Sequence, residues 1–85
     1  MKTVYKYPVP RSSTKFPLLV GGGFKFLRIG YQNEQIFIWA EVLKDSVQQT
    51  LQFQMFGTGQ DIPDGAEYMQ TFDSGPFVIH LYQLP

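Results

Sequence analysis

Few side chains in this sequence have the chemistry for catalysis. There is no cysteine, so thiol nucleophiles, disulfides and thiolate metal sites are excluded. The sole histidine is His80. Ser12, Ser13, Ser46 and Ser74 sit in no nucleophile motif. Asp61, Asp64 and Glu67 fall in one turn-rich stretch. Carboxylates there ordinarily serve turn hydrogen bonding and solvation, and nothing sets the separation that paired-carboxylate hydrolysis requires. In Phe77-Val78-Ile79-His80-Leu81-Tyr82 the histidine alternates with Val78 and Tyr82. The plain expectation is an imidazole hydrogen-bonded on a sheet face. Contact with a ligand is the second reading, and proton transfer a distant third. The residues argue for binding rather than turnover, with no metal and no cofactor.

The best candidates for binding are a loop and a set of rings. Gly57-Thr58-Gly59-Gln60 offers glycines that admit positive φ and let a ligand approach the amides, with a hydroxyl and a carboxamide between them. It lacks the lysine and the following helix of a Walker loop. Taken alone it is a tight turn more often than a ligand loop. Tyr5, Tyr7, Phe37 and Trp39 lie on strand-like stretches, with Lys6 and Arg28 as phosphate-binding cations. Phe37 reads as core or subunit interface, whereas Tyr7 and Trp39 stay open to either role.

These side chains must be positioned by strands. Period-two alternation marks Thr3–Val9, Lys15–Val20, Phe24–Tyr31, Ile36–Val42, Gln49–Phe56, Glu67–Phe72 and Phe77–Leu84. Pro8, Pro10 and Pro17 suggest edge strands. Gln32–Gln35 and Asp73–Pro76 have hairpin-turn composition. Nothing sustains a helical period, although one turn of helix around Asp61–Ala66 is allowed. The expectation is one domain over residues 1–85. Its fold class is all-β, a compact antiparallel sandwich or half-open barrel of six or seven strands, with an α+β fold bearing one short helix as the alternative.

Composition narrows the partners. Seven basic and seven acidic residues cancel, so long nucleic acid has no general electrostatic pull on the chain. Six of the basic residues nevertheless fall between Lys2 and Arg28, enough for a local patch that suits a small anion. Aromatic residues make up 16% of a chain of 85. That is more ring surface than so small a monomer easily hides, which points to a ligand or to self-association as a homo-oligomer. No signal-peptide run or membrane span is present, and the expected location is a cytosol.

Four landmarks add a resemblance. Lys6-Tyr7-Pro8, Trp39-Ala40, Gly57-Thr58-Gly59-Gln60 with Ile62-Pro63, and Phe77-Val78-Ile79-His80-Leu81-Tyr82 occur in that order. The chain thereby resembles a widespread family of small tailed-phage proteins. It is similar through them to the phage sponge proteins that bind cyclic nucleotide signals of bacterial immunity. Ile79 departs from that pattern, which has a tryptophan at this place. The resemblance implies stoichiometric sequestration of a cyclic oligonucleotide, without cleavage, by a small homo-oligomer in the host bacterial cytoplasm. It carries over Tyr7, Trp39, Thr58, Gln60 and His80 as ligand-binding residues. Gly59 joins them as part of the loop, and Lys6 and Arg28 join on charge. The alternative is a small phage inhibitor that docks on a host protein through a strand edge or aromatic patch.

Overall fold

Side-chain alternation decides which face each strand buries, and two sheets result. The computed structural model describes every residue from Met1 to Pro85. It contains seven strands: β1 (Lys2–Pro8), β2 (Lys15–Val20), β3 (Lys25–Gln32), β4 (Gln35–Leu43), β5 (Gln49–Gly57), β6 (Glu67–Ser74) and β7 (Phe77–Gln83). The order is β1-β4-β3 in a three-stranded sheet and β2-β5-β7-β6 in a four-stranded one, every pairing antiparallel. The all-β sandwich expected from the alternation is what forms. There is no helix, so none is long and apolar enough to cross a membrane. The Asp61–Ala66 stretch is an irregular turn, closed by the Ala66 amide donating to the Pro63 carbonyl at 3.3 Å.

The inner faces meet in one core. Val9, Phe16, Leu18, Val20, Ile29, Ile38, Phe53 and Leu81 form it, drawing on both sheets. Phe16 stacks on Phe53 with ring centroids 5.8 Å apart, the offset geometry aromatic pairs prefer. On β4, Ile38, Ala40 and Val42 are fully buried while Phe37, Trp39 and Glu41 face away from the core. Burying an aliphatic or aromatic side chain is worth about 1.5–3 kcal/mol, so these residues are a large part of the drive to fold.

Turn chemistry sets the registers. Asn33 and Glu34 both take positive φ (52° and 65°) between paired Gln32 and Gln35, the two-residue type I′ hairpin whose twist matches the strands. Gly75 (φ 60°) precedes Pro76 between paired Ser74 and Phe77, the order a type II′ turn requires.

The sheets also meet along one seam, where edge strands β3 and β6 run side by side. Gln70 of β6 receives the Ile29 amide at 2.9 Å and donates to the Ile29 carbonyl at 3.0 Å. Further along, Tyr31 packs edge-on against Phe72 and its hydroxyl hydrogen-bonds Ser74. Both strands carry a bulge just before this clasp, β3 between Phe26 and Arg28 and β6 between Tyr68 and Gln70.

Candidate functional site

All the candidate residues but Tyr7 separate into two groups, on the outer faces of the two sheets. The molecule's shortest extent is 20 Å, and the core lies between the groups.

The first group lies on the three-stranded sheet. Cross-strand partners share a face, so Lys6 of β1 and Arg28 of β3 flank Trp39 of β4 from either side. The Arg28 guanidinium carbon sits 4.9 Å from the Trp39 ring centroid, and the Lys6 ammonium sits 4.5 Å from that of Phe37. Both distances are within the range of cation–π attraction. Phe37 and Trp39 themselves lie 5.9 Å apart. Lys6 also donates to the Gln32 carboxamide at 2.8 Å.

Gly30 makes the Arg28 pose possible. It pairs with Phe37, and a Cβ built on it would come within 2.5 Å of an Arg28 guanidinium nitrogen. The guanidinium therefore occupies space that a side chain would fill.

The charge on this face is mostly uncompensated. The molecule's one ion pair, Lys2–Glu41 at 3.4 Å, neutralises the carboxylate opposite Lys25. Lys6, Lys25 and Arg28 have no carboxylate partner. The face thus presents two half-buried rings and three cations without a carboxylate partner on a β-sheet.

The second group lies on the four-stranded sheet, around its edge with the β5–β6 loop. His80 of β7 stands between the hydroxyls of Thr58 and Thr71, each 2.9 Å from one ring nitrogen. Thr71 in turn meets the Tyr68 hydroxyl at 2.8 Å. A neutral imidazole donates through one nitrogen and accepts through the other, so two flanking hydroxyls satisfy it completely. Beside His80, its cross-strand partner Phe56, 3% exposed, packs edge-on against Tyr82, and Tyr82 against Tyr68.

The Gly57–Gln60 corner is closed on itself. The Gln60 amide donates to the Gly57 carbonyl at 3.2 Å, and the Gln60 side-chain oxygen accepts from the Gly57 amide at 2.6 Å. Gly59 takes φ 95°, which a residue with a Cβ rarely adopts. These are the contacts of a tight turn. Gln60 spends its carboxamide oxygen on that turn, and Thr58 spends its hydroxyl on His80. A shallow groove of about 370 Å³ lies beside Gly57 and Thr58, lined by Pro76 to Ile79.

Tyr7 joins neither group. It pairs with Ile38 on the inward side of β1 and packs partly against the core. Burial raises the pKa of its phenol above the usual 10.0, the Gly21 backbone partly offsetting this and the neighbouring Tyr5 adding to it.

Of the residues chosen from sequence, then, Lys6, Arg28 and Trp39 assemble on one face. Thr58, Gly59, Gln60 and His80 gather at the opposite one, and Tyr7 turns inward. Phe37, expected in the core or a subunit interface, is an outer-face ring beneath Lys6. Its position two residues before Trp39, on the same side of one strand, was the available signal. Gly30 and Thr71 were not legible as partners, because cross-strand register brings them to Arg28 and His80. No three His, Asp or Glu side chains come together as a metal-holding group.

Over residues 1–85 the chain matches the family described as a domain of unknown function, DUF7352, and belongs to it. No curated protein and no solved structure matches the chain.

Proposed function

We propose that this protein binds a small nucleotide anion on the outer face of its three-stranded sheet and releases it unchanged. The observation that carries the reading is the Arg28 guanidinium held over Trp39, with Lys6 held over Phe37 alongside. Rings on a sheet face stack nucleobases, at about 1–3 kcal/mol per base, and guanidinium groups both stack on bases and grip phosphates. Three unpaired cations on one small face suit a compact polyanion.

The proposed ligand class is a cyclic oligonucleotide, and the proposed role is that of a phage-encoded sponge. Such a protein holds a cyclic nucleotide signal of bacterial defence away from its effector in the host cytoplasm. The support for this finer reading is the order of the four sequence landmarks together with the ring-and-cation face. Holding rather than cleaving fits the disposition of His80, which is tied to two threonine hydroxyls and has no carboxylate to orient it for proton transfer. Self-association is part of the proposal, because Val4, Leu19, Phe77 and Val78 leave apolar surface outside the core.

The test is depletion. The protein is incubated with a panel of cyclic di- and trinucleotides, removed by filtration, heated, and the supernatant chromatographed. The reading requires that at least one compound be depleted and recovered intact. A cleaved product would make the protein an enzyme, and depletion of none would end the proposal.

A further inference from the structure

The seam between β3 and β6 is clasped by Gln70 at its middle and by Tyr31 and Ser74 at one end, but it stands open at the other. There the two bulged strands part around a cleft of about 440 Å³, lined by Phe24, Lys25, Phe26, Glu67, Tyr68, Met69 and Gln83. That volume falls in the range of about 300–1,000 Å³ typical of small-molecule sites. Bulges at the mouth of a site are a recurrent way of re-aiming strands and side chains around it.

The lining is arranged by depth. Phe24, Phe26 and Met69 are partly buried and packed against the core, so they form an apolar wall. Tyr68 and Lys25 are exposed at the two lips. Glu67 and Gln83, paired across β6 and β7, supply a carboxylate and a carboxamide. An acceptor beside a donor–acceptor group is what the polar edge of a heterocycle needs. Lys25 also belongs to the basic face described above, since it pairs with Glu41 on the same side as Arg28 with Trp39. It has no ion-pair partner. One cation thus joins the cleft to the ring-and-cation face.

We infer that this cleft receives a nucleobase of the bound nucleotide, stacked among Phe24, Phe26 and Tyr68, with the adjoining phosphate on Lys25 and Arg28. This rests on the nucleotide-binding reading and makes it more specific. One base enters the seam, the phosphates cross the β3 edge, and a second base lies on the Arg28–Trp39 face. A linear or cyclic dinucleotide spans both places, whereas a mononucleotide fills only one.

Calorimetric titration with cyclic diadenylate, cyclic diguanylate and the matching mononucleotides tests this on four proteins: wild type, Lys25→Glu, Tyr68→Ala and Trp39→Ala. The expected result is that each variant loses about tenfold or more in dinucleotide affinity, and that mononucleotides bind wild type at least about tenfold more weakly than the dinucleotide. Lys25 is exposed and outside the core, so Lys25→Glu keeps the inference falsifiable even if Tyr68→Ala fails to fold, because a wild-type titration would remove the phosphate from the lip of the cleft. If Lys25→Glu and a folded Tyr68→Ala titrate like wild type while Trp39→Ala has lost binding, the cleft is no part of the site and only this inference falls. If wild type binds no dinucleotide, the nucleotide reading falls and takes the cleft with it.

Discussion

The carboxamide of Gln70 serves both backbone groups of Ile29, accepting from its amide at 2.9 Å and donating to its carbonyl at 3.0 Å. One side chain stands in for a missing strand and ties the three-stranded sheet to the four-stranded one. Ile29 is 1% exposed, so water cannot easily replace those bonds. Gln70→Leu should therefore cost roughly 1–3 kcal/mol, the penalty of orphaning buried polar groups, visible as a lower urea midpoint. An unchanged midpoint would mean that the seam holds without its clasp.

Gly30→Ala tests the architecture of the ring-and-cation face. The atoms nearest the added methyl are those of the Arg28 guanidinium, the far end of a flexible side chain, so the fold should change by less than about 1 kcal/mol. The guanidinium, however, must shift from its place over Trp39. Nucleotide affinity should drop with stability intact. An unaltered affinity would show that the Arg28 pose is incidental to binding.

His80 and Thr58 lie across the sandwich from that face and reach the cleft only through Thr71 and Tyr68, so Thr58 and His80 should be separable from binding. Thr58→Val removes one hydrogen bond to His80 at an exposed site, worth about 0.5–1.5 kcal/mol at most. Both Thr58→Val and His80→Ala should leave nucleotide affinity within about twofold of wild type. A large loss of affinity in either would move the site to the Gly57–Gln60 corner.

Tyr7 should contribute to the loss of stability at alkaline pH. Its phenol pKa in the folded protein lies above 10.0, chiefly through burial. The folded state thus holds its proton more tightly than the unfolded state. The associated stability is fully present below pH 10.0 and is lost as pH rises through the folded value. Tyr7→Phe removes the titrating group, and its unfolding midpoint should fall less steeply than that of wild type above this pH. Parallel curves would assign the alkaline loss to other groups.

Strand positions, the faces of β4 and β5 and the two hairpin turns were legible in the sequence, because period-two alternation and turn residues are local signals. The ring-and-cation face was legible only in its parts. Lys6, Arg28 and Trp39 stood out by type, but their meeting depends on the β1–β4–β3 register, and for Arg28 on a bulge at Leu27 that shifts it by one residue. Tyr7 was misleading for a related reason. Its partner Ile38 points inward, and nothing local to Lys6-Tyr7-Pro8 reveals which of the two neighbours faces the core. The Gly57–Gln60 loop showed glycine freedom and hydrogen-bonding groups, but not that Gln60 would use its own oxygen to close the turn.

Trp39 is the only tryptophan, and it lies within the proposed site. Its fluorescence, excited at the red edge where tyrosine does not absorb, therefore reports on that face alone. Titration of wild type with the cyclic nucleotide it depletes should shift or quench this emission saturably, with an affinity equal to that from calorimetry, and Arg28→Glu should abolish the response. Saturable binding by calorimetry with no change in Trp39 emission would contradict the account, because the nucleotide would then be held elsewhere.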